Sequence, residues 1–253
     1  MSGPFLRAES MGGMDIGQRL GWYGKIPATG DFVNRNLPRE LSGWWDKWLQ
    51  HGLAALKQSQ DEAALRAYAA APLWNFAIPS GPGAGGVQFG CIAASRDRVG
   101  RNYPLCVSLY MPVDLYEPRM LDAAGEYFHQ LGVGLLMAVR HGCAAEQLER
   151  ALQPARAAAA AMSAAGRGAV AASRGSDIMD ILNAGQPAPA QALAGNRPLA
   201  WAELPSVFNP GSHTSYWWTN QADGAALRTY LHGGALNVTL FATLFSSFAG
   251  VRR

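Results

Sequence analysis

Two short segments concentrate the residue types that chemistry or recognition would use. The first, GWYGKIPATGDF, holds Gly21, Gly24, Lys25 and Asp31. A phosphate-binding Walker loop places four residues between its first glycine and the Gly-Lys pair, then a Ser or Thr. Here two residues intervene, and Ile26-Pro27 follows Lys25. Pro27 also removes an N–H from any backbone nest that would cradle a phosphate. A strand ending in a Pro/Gly turn is the simpler reading. The second segment, SRDRVGRNYPL, sets Arg96, Arg98 and Arg101 around a turn at Asp97–Gly100. Guanidinium forks pair bidentately with carboxylates and phosphates, so this turn could grip a partner. Alternatively, Arg98 or Arg101 pairs with a local acid, Asp97 or Asp31, and pins loops. The sequence leaves both readings open.

Other reactive side chains lack a partner at a telling distance. His51, His129, His141, His213 and His232 form neither an HExxH motif nor any i, i+4 pair. No G-x-S-x-G elbow is present. Asp31 with Ser212-His213 would make a triad only through geometry that sequence does not reveal. Cys91 and Cys106 lie inside apolar strand patterns, where cysteine is ordinarily filler. No metal or cofactor is expected. The tryptophans are different. Trp44, Trp45 and Trp48 share one helix turn, while Trp217 and Trp218 are adjacent on a strand and must point to opposite faces. One of that pair can be core while the other meets a neighbouring layer or solvent, and an exposed Trp beside Arg is typical of a binding hot spot.

The elements that must hold these residues are visible in the periodicity. After a loose leader over residues 1–19, LGWYGKI reads as a strand. From Pro38, the residues Leu41, Trp44, Trp45, Trp48, Leu49, Leu53 and Leu56 recur at helical spacing. A short helix, DEAALRAYAA, ends at Pro72. LWNFAI, VQFGCIAAS and YPLCVSLYM follow as strands bounded by Gly/Pro clusters. MLDAAGEYFHQLGVGLLMAVR and AAEQLERAL are helical. Residues 154–198 are Ala/Pro-rich; an alanine face buries little, so a mobile insertion and a weakly anchored helix both fit. SYWWTN and AALRTYL then read as strands, and NVTLFATLFSSF as a closing helix. Short connections favour antiparallel pairing. Helices before and after the strands imply layers on both faces. The expected fold is one α/β domain over residues 20–253, a three-layer sandwich with a mostly antiparallel central sheet.

Composition narrows the function classes. The 253 residues are 49% hydrophobic and 15% charged, enough apolar material for a core. A net charge of +3 does not single out nucleic acid. Three scattered cysteines make a poor disulfide framework, which fits a reducing compartment. No stretch reaches the roughly 18 apolar residues of a membrane span, nor does the start resemble a signal peptide. A cytoplasmic location is expected.

Three segments in order, GWYGKIPATGDFVNRNLP, SRDRVGRNYPL and SYWW, resemble the signature of the TagF family across residues 21–218. The resemblance implies a single α/β domain acting as a post-translational repressor of a bacterial type VI secretion system. The implied mode is binding to the forkhead-associated (FHA) scaffold protein of the apparatus, without catalysis. Some relatives carry a phosphatase domain; this sequence shows no acidic metal cluster of that kind. The residues lying in the signature segments, Lys25, Asp31, Arg35, Arg98, Arg101 and Trp217, are the candidate partner surface. A structural or assembly subunit of the apparatus is the alternative, and a hydrolase using Asp31 with a histidine is a further one.

Overall fold

The computed structural model describes residues 16–59, 61–174 and 197–246. Its strands are β1 (Leu20–Gly24), β2 (Val33–Arg35), β3 (Trp74–Ile78), β4 (Val87–Ala93), β5 (Leu105–Met111), β6 (Thr214–Thr219) and β7 (Thr229–Gly233). They form one sheet in the order β2-β1-β5-β4-β3-β6-β7, every neighbouring pair antiparallel. The central strands β3, β4 and β5 are mostly apolar, with one buried polar residue each (Asn75, Gln88 and Ser108), and are covered above and below. Nearly all of their residues are buried.

Helices cover each face. They are α1 (Arg39–Gln58), α2 (Glu62–Ala69), α3 (Gly125–His141), α4 (Ala145–Ala151), α5 (Gln153–Arg174), the single turn α6 (Leu204–Val207) and α7 (Val238–Phe245). On one face α1 and α7 pack Trp45, Trp48, Leu53, Phe241 and Phe245 against Phe76 and Trp217 of the sheet, joined by Tyr68 of α2. On the other, α3 packs Tyr127, Phe128, Leu131 and Leu135 against Trp22, Phe89 and Trp218, joined by Leu148 of α4, Met162 of α5 and Leu204 of α6. Removing each such large side chain from water contributes about 2–3 kcal/mol. The result is the expected three-layer α/β sandwich in a single domain.

Helix α1 forms where the Trp/Leu spacing places it. Pro38 precedes its first turn, and the buried stripe runs Leu41, Trp45, Trp48, Leu49, Gly52, Leu53 and Leu56. Trp44 sits at the edge of that stripe and is half-buried. Gly52 is required by close approach: a Cβ there would lie 2.1 Å from the Phe241 ring of α7.

Two expectations need correction. Residues 1–15 of the leader lie outside the described residues, but Ile16–Arg19 form a 3-10 turn with Ile16 and Gly17 buried. The alanine stretch is a firmly anchored helix from its start. In α5, Ala155, Arg156, Ala159 and Met162 are buried. Arg156 Nη1 donates to the Gly17 and Leu20 carbonyls at 3.1 and 2.8 Å, and Nη2 pairs with Glu149 at 3.0 Å. Small side chains let the backbones approach, and the guanidinium supplies the fixing that alanine cannot. The rest of the 154–198 span, from residue 175 to 196, lies outside the described residues. Trp217 and Trp218 point to opposite faces as expected, and each is fully buried, one in each core.

Among the described residues, no helix is long and apolar enough to cross a membrane.

Candidate partner-binding surface

The two loop segments meet at one end of the sheet. β1 ends at Gly24, which only glycine can occupy: its φ is +139°, and a Cβ there would lie 2.2 Å from Pro104 O. Lys25 then turns inward and donates from Nζ to Asp97 Oδ2 at 2.8 Å. Asp97 opens the second segment, and its side chain is fully buried. Its Oδ1 accepts from Val99 N at 3.0 Å and Arg101 N at 2.8 Å; Oδ2 also accepts from Arg101 Nε at 2.6 Å. Four donors saturate the carboxylate. Burial alone would raise its pKa, but the Lys25 and Arg101 hydrogen bonds win and hold it well below the usual carboxylate range. The loops are also stitched directly: Arg98 N donates to Thr29 O at 2.9 Å and Arg101 Nη2 to Gly30 O at 2.7 Å.

An aromatic group stands on this base. Phe32 is 49% exposed. Its ring stacks parallel to Tyr23 at 6.0 Å, meets Tyr103 edge-on at 4.7 Å, and lies 4.8 Å from Lys25 Nζ. Beneath it, the Tyr23 and Tyr103 hydroxyls both donate to Asp46 Oδ1 on α1. Burial, with the Asp46 carboxylate adding to it, pushes the Tyr23 hydroxyl up to about 12 and Tyr103 further still in the same direction. The outer face of Phe32 is thus presented by groups that are themselves fixed, so little conformational freedom remains to be lost on binding.

The structure sorts the six candidate residues. Lys25 is buried in the ion pair and holds the loops together. Arg101 is 61% exposed along its side chain, yet it is committed to Asp97 and Gly30. Arg98 is exposed, and among the described residues its guanidinium has neither ion pair nor hydrogen bond. Asp31 is exposed beside Phe32. Arg35 is exposed but pairs with Trp22 across β1–β2, so it faces the α4–α5 side and lines a hollow with Glu149 and Gln153. Trp217 must be withdrawn from the surface, because it is fully buried between Trp48 and Phe76. Strand directions also put Asp31 and His213 at opposite ends of the sheet, so the imagined Asp–His pairing does not form. Phe32 escapes a sequence reading because nothing in GDF says which way the ring turns. Asp97 carried one signal, an acid flanked by arginines.

The chain matches the family described as TagF N-terminal domain, type VI secretion system-associated, over residues 21–155. No curated protein matches it. Among solved structures it is similar to PA0076 from Pseudomonas aeruginosa PAO1, with a TM-score of 0.60 and 24% identity, covering 92% of this chain and 97% of that one. At that identity the likeness speaks to the fold. The family match takes in more than half of the residues, including both stitched loops and the Lys25–Asp97 pair between them; the chain belongs to the TagF N-terminal domain family and is associated with type VI secretion.

Proposed function

We propose that the chain is a cytoplasmic, non-catalytic repressor of its secretion system that binds the FHA-domain scaffold protein through the loop end of the sheet. One observation carries the reading: a half-exposed Phe32 and an unpaired Arg98 are mounted on a saturated Lys25–Asp97–Arg101 base. An aromatic anchor and an uncommitted guanidinium on two loops joined by the Arg98 N–Thr29 O hydrogen bond are the residue types of an interface hot spot. A rigid mount suits recognition, since the binding geometry exists before the partner arrives. Family membership supports the choice of pathway, and the FHA-domain protein is the partner that the resemblance implies.

Calorimetric titration of the full chain with the purified scaffold tests this. Micromolar or tighter binding is expected, with Phe32→Ala plus Arg98→Ala weakening it by about thirtyfold or more, as a hot-spot loss of about 2 kcal/mol implies. Absence of binding by the unmodified chain overturns the reading. Unchanged affinity in the folded double variant overturns the assigned surface.

A further inference from the structure

The same end of the sheet carries a cleft that the loop surface does not use. The last β3–β4 pair is Trp74 with Ile92. Beyond it the two chains part. Leu73, Pro72 and Ala71 lead back to α2, whereas the continuation of β4 stays with the β5 side through Tyr103 N to Ser95 O (2.9 Å) and the Arg96–Asn102 bridge. The opening is about 600 Å³, closed on its third side by the end of α3 and by the turn at Asp223–Ala225. Its walls are fixed. Ser95 O accepts from the Tyr68 hydroxyl at 3.1 Å, and Asp223 Oδ2 accepts from Leu73 N at 3.1 Å. Ser95 Oγ donates to Lys25 O at 2.8 Å, which ties the cleft wall to the base beneath Phe32.

Its charge is unbalanced. Arg96 and Arg140 line it and are exposed, and among the described residues neither guanidinium has an ion pair or a hydrogen bond. The one acid in the lining, Asp223, has both oxygens engaged by the backbone, Oδ1 accepting from Ala225 N at 3.0 Å. Arg98 stands unpaired further along the loop that carries Arg96. The rest of the lining mixes small and aliphatic side chains, such as Ala70, Pro72, Leu136 and Val139, with polar Ser95 and Asn102. Such a lining seats an extended chain with modest side chains, while the guanidinium forks take carboxylates.

We infer that this cleft receives an extended acidic segment of the protein partner, as the second half of the surface begun by Phe32 and Arg98. The inference rests on the partner-binding reading above. Two cleft arginines on a chain of net charge +3 are not the basic stripe that nucleic acid requires, whereas a few carboxylates on a polypeptide suffice to match them.

The test uses the full chain and two fluorescein-labelled decapeptides, one of Glu and Ala with a central Leu, the other with every Glu replaced by Lys. Anisotropy titration in low salt should show at least a tenfold preference for the acidic peptide. Arg96→Glu with Arg140→Glu should abolish that preference, while Arg119→Glu with Arg150→Glu, exposed arginines outside the cleft, should keep it. No preference, a preference that survives the cleft reversal, or equally tight binding of a single-stranded DNA 20-mer would each overturn the inference. The scaffold arm separates the two claims. Scaffold binding that is indifferent to the cleft reversal sinks the cleft and leaves the function standing. No scaffold binding by the unmodified chain sinks the function, and the peptides still decide the cleft.

Discussion

Replacing Asp97 by Asn removes one charge and little volume, which makes it a sharp probe of the loop base. The oxygen of the new amide would keep the Val99 and Arg101 backbone donors. The amide nitrogen, however, would face Lys25 Nζ and Arg101 Nε, donor against donor, where the carboxylate now accepts at 2.8 and 2.6 Å. Lys25 is 6% exposed, so its ammonium would be left buried without a counter-charge. Breaking one side of a buried pair costs about 3–5 kcal/mol. For a domain of this size that corresponds to a fall of about 6–20 °C in Tm. The pH dependence has a defined sign. The folded-state pKa of Asp97 is depressed, so its contribution is fully present above the unfolded carboxylate value of about 3.9 and is lost as pH falls below it. Urea unfolding of both proteins at pH 7, 5, 4 and 3.5 should therefore show a gap that holds to about pH 4 and then narrows. Combining Lys25→Met with Asp97→Asn should recover much of the loss, because no buried charge is then left unpaired and the Arg101 side chain, 61% exposed, can turn to solvent. A gap below about 1 kcal/mol at pH 7, or one that stays constant down to pH 3.5, would refute the argument that this pair braces the loops.

Trp217→Ala should destabilise the fold by about 3–5 kcal/mol in urea melts, with scaffold affinity of the folded fraction unchanged; a selective affinity loss would return Trp217 to the interface. Gly52→Ala should cost about 1–3 kcal/mol by overpacking against Phe241, and Phe241→Leu in the same chain should relieve it; a neutral Gly52→Ala would mean that α1 and α7 are less closely packed. Because the Tyr23 hydroxyl is raised to about 12 in the fold, its stabilisation is intact below the unfolded value of about 10 and is lost as pH climbs from 10 towards 12. Tyr23→Phe should lose stability less steeply across that interval, and a slope identical to that of the unmodified chain would contradict the shift.

Much of the architecture is legible in the residues because large apolar side chains announce their own spacing. The α1 stripe and the largely apolar β3, β4 and β5 follow directly from it. Helix α5 does not, since hydrophobic periodicity detects bulk and this helix is held by closeness, with Gly17 backed against the Arg156 carbonyl. Strand β2 is equally quiet: Val33–Arg35 has a single apolar residue and exists because β1 offers an open edge. At the candidate surface, the turn arginines and glycines could be found, but their division of labour could not. Arg98 and Arg101 differ by three positions in one loop, yet one is free and the other bound. That outcome is set by which guanidinium reaches Asp97 and Gly30 after the loops from two distant segments have met. The error over Trp217 has the same origin, for alternation along a strand reveals two faces without saying what lies over either.

That pair of adjacent indoles places an unusual demand on β6. Each ring is the keystone of a separate hydrophobic half, and the pleat alone decides which half receives which ring. A one-residue insertion or deletion between Thr214 and Thr219 would exchange every side chain across the sheet beyond it. Both halves would then be mis-filled in a single step, so the length of this strand is under as much constraint as its composition.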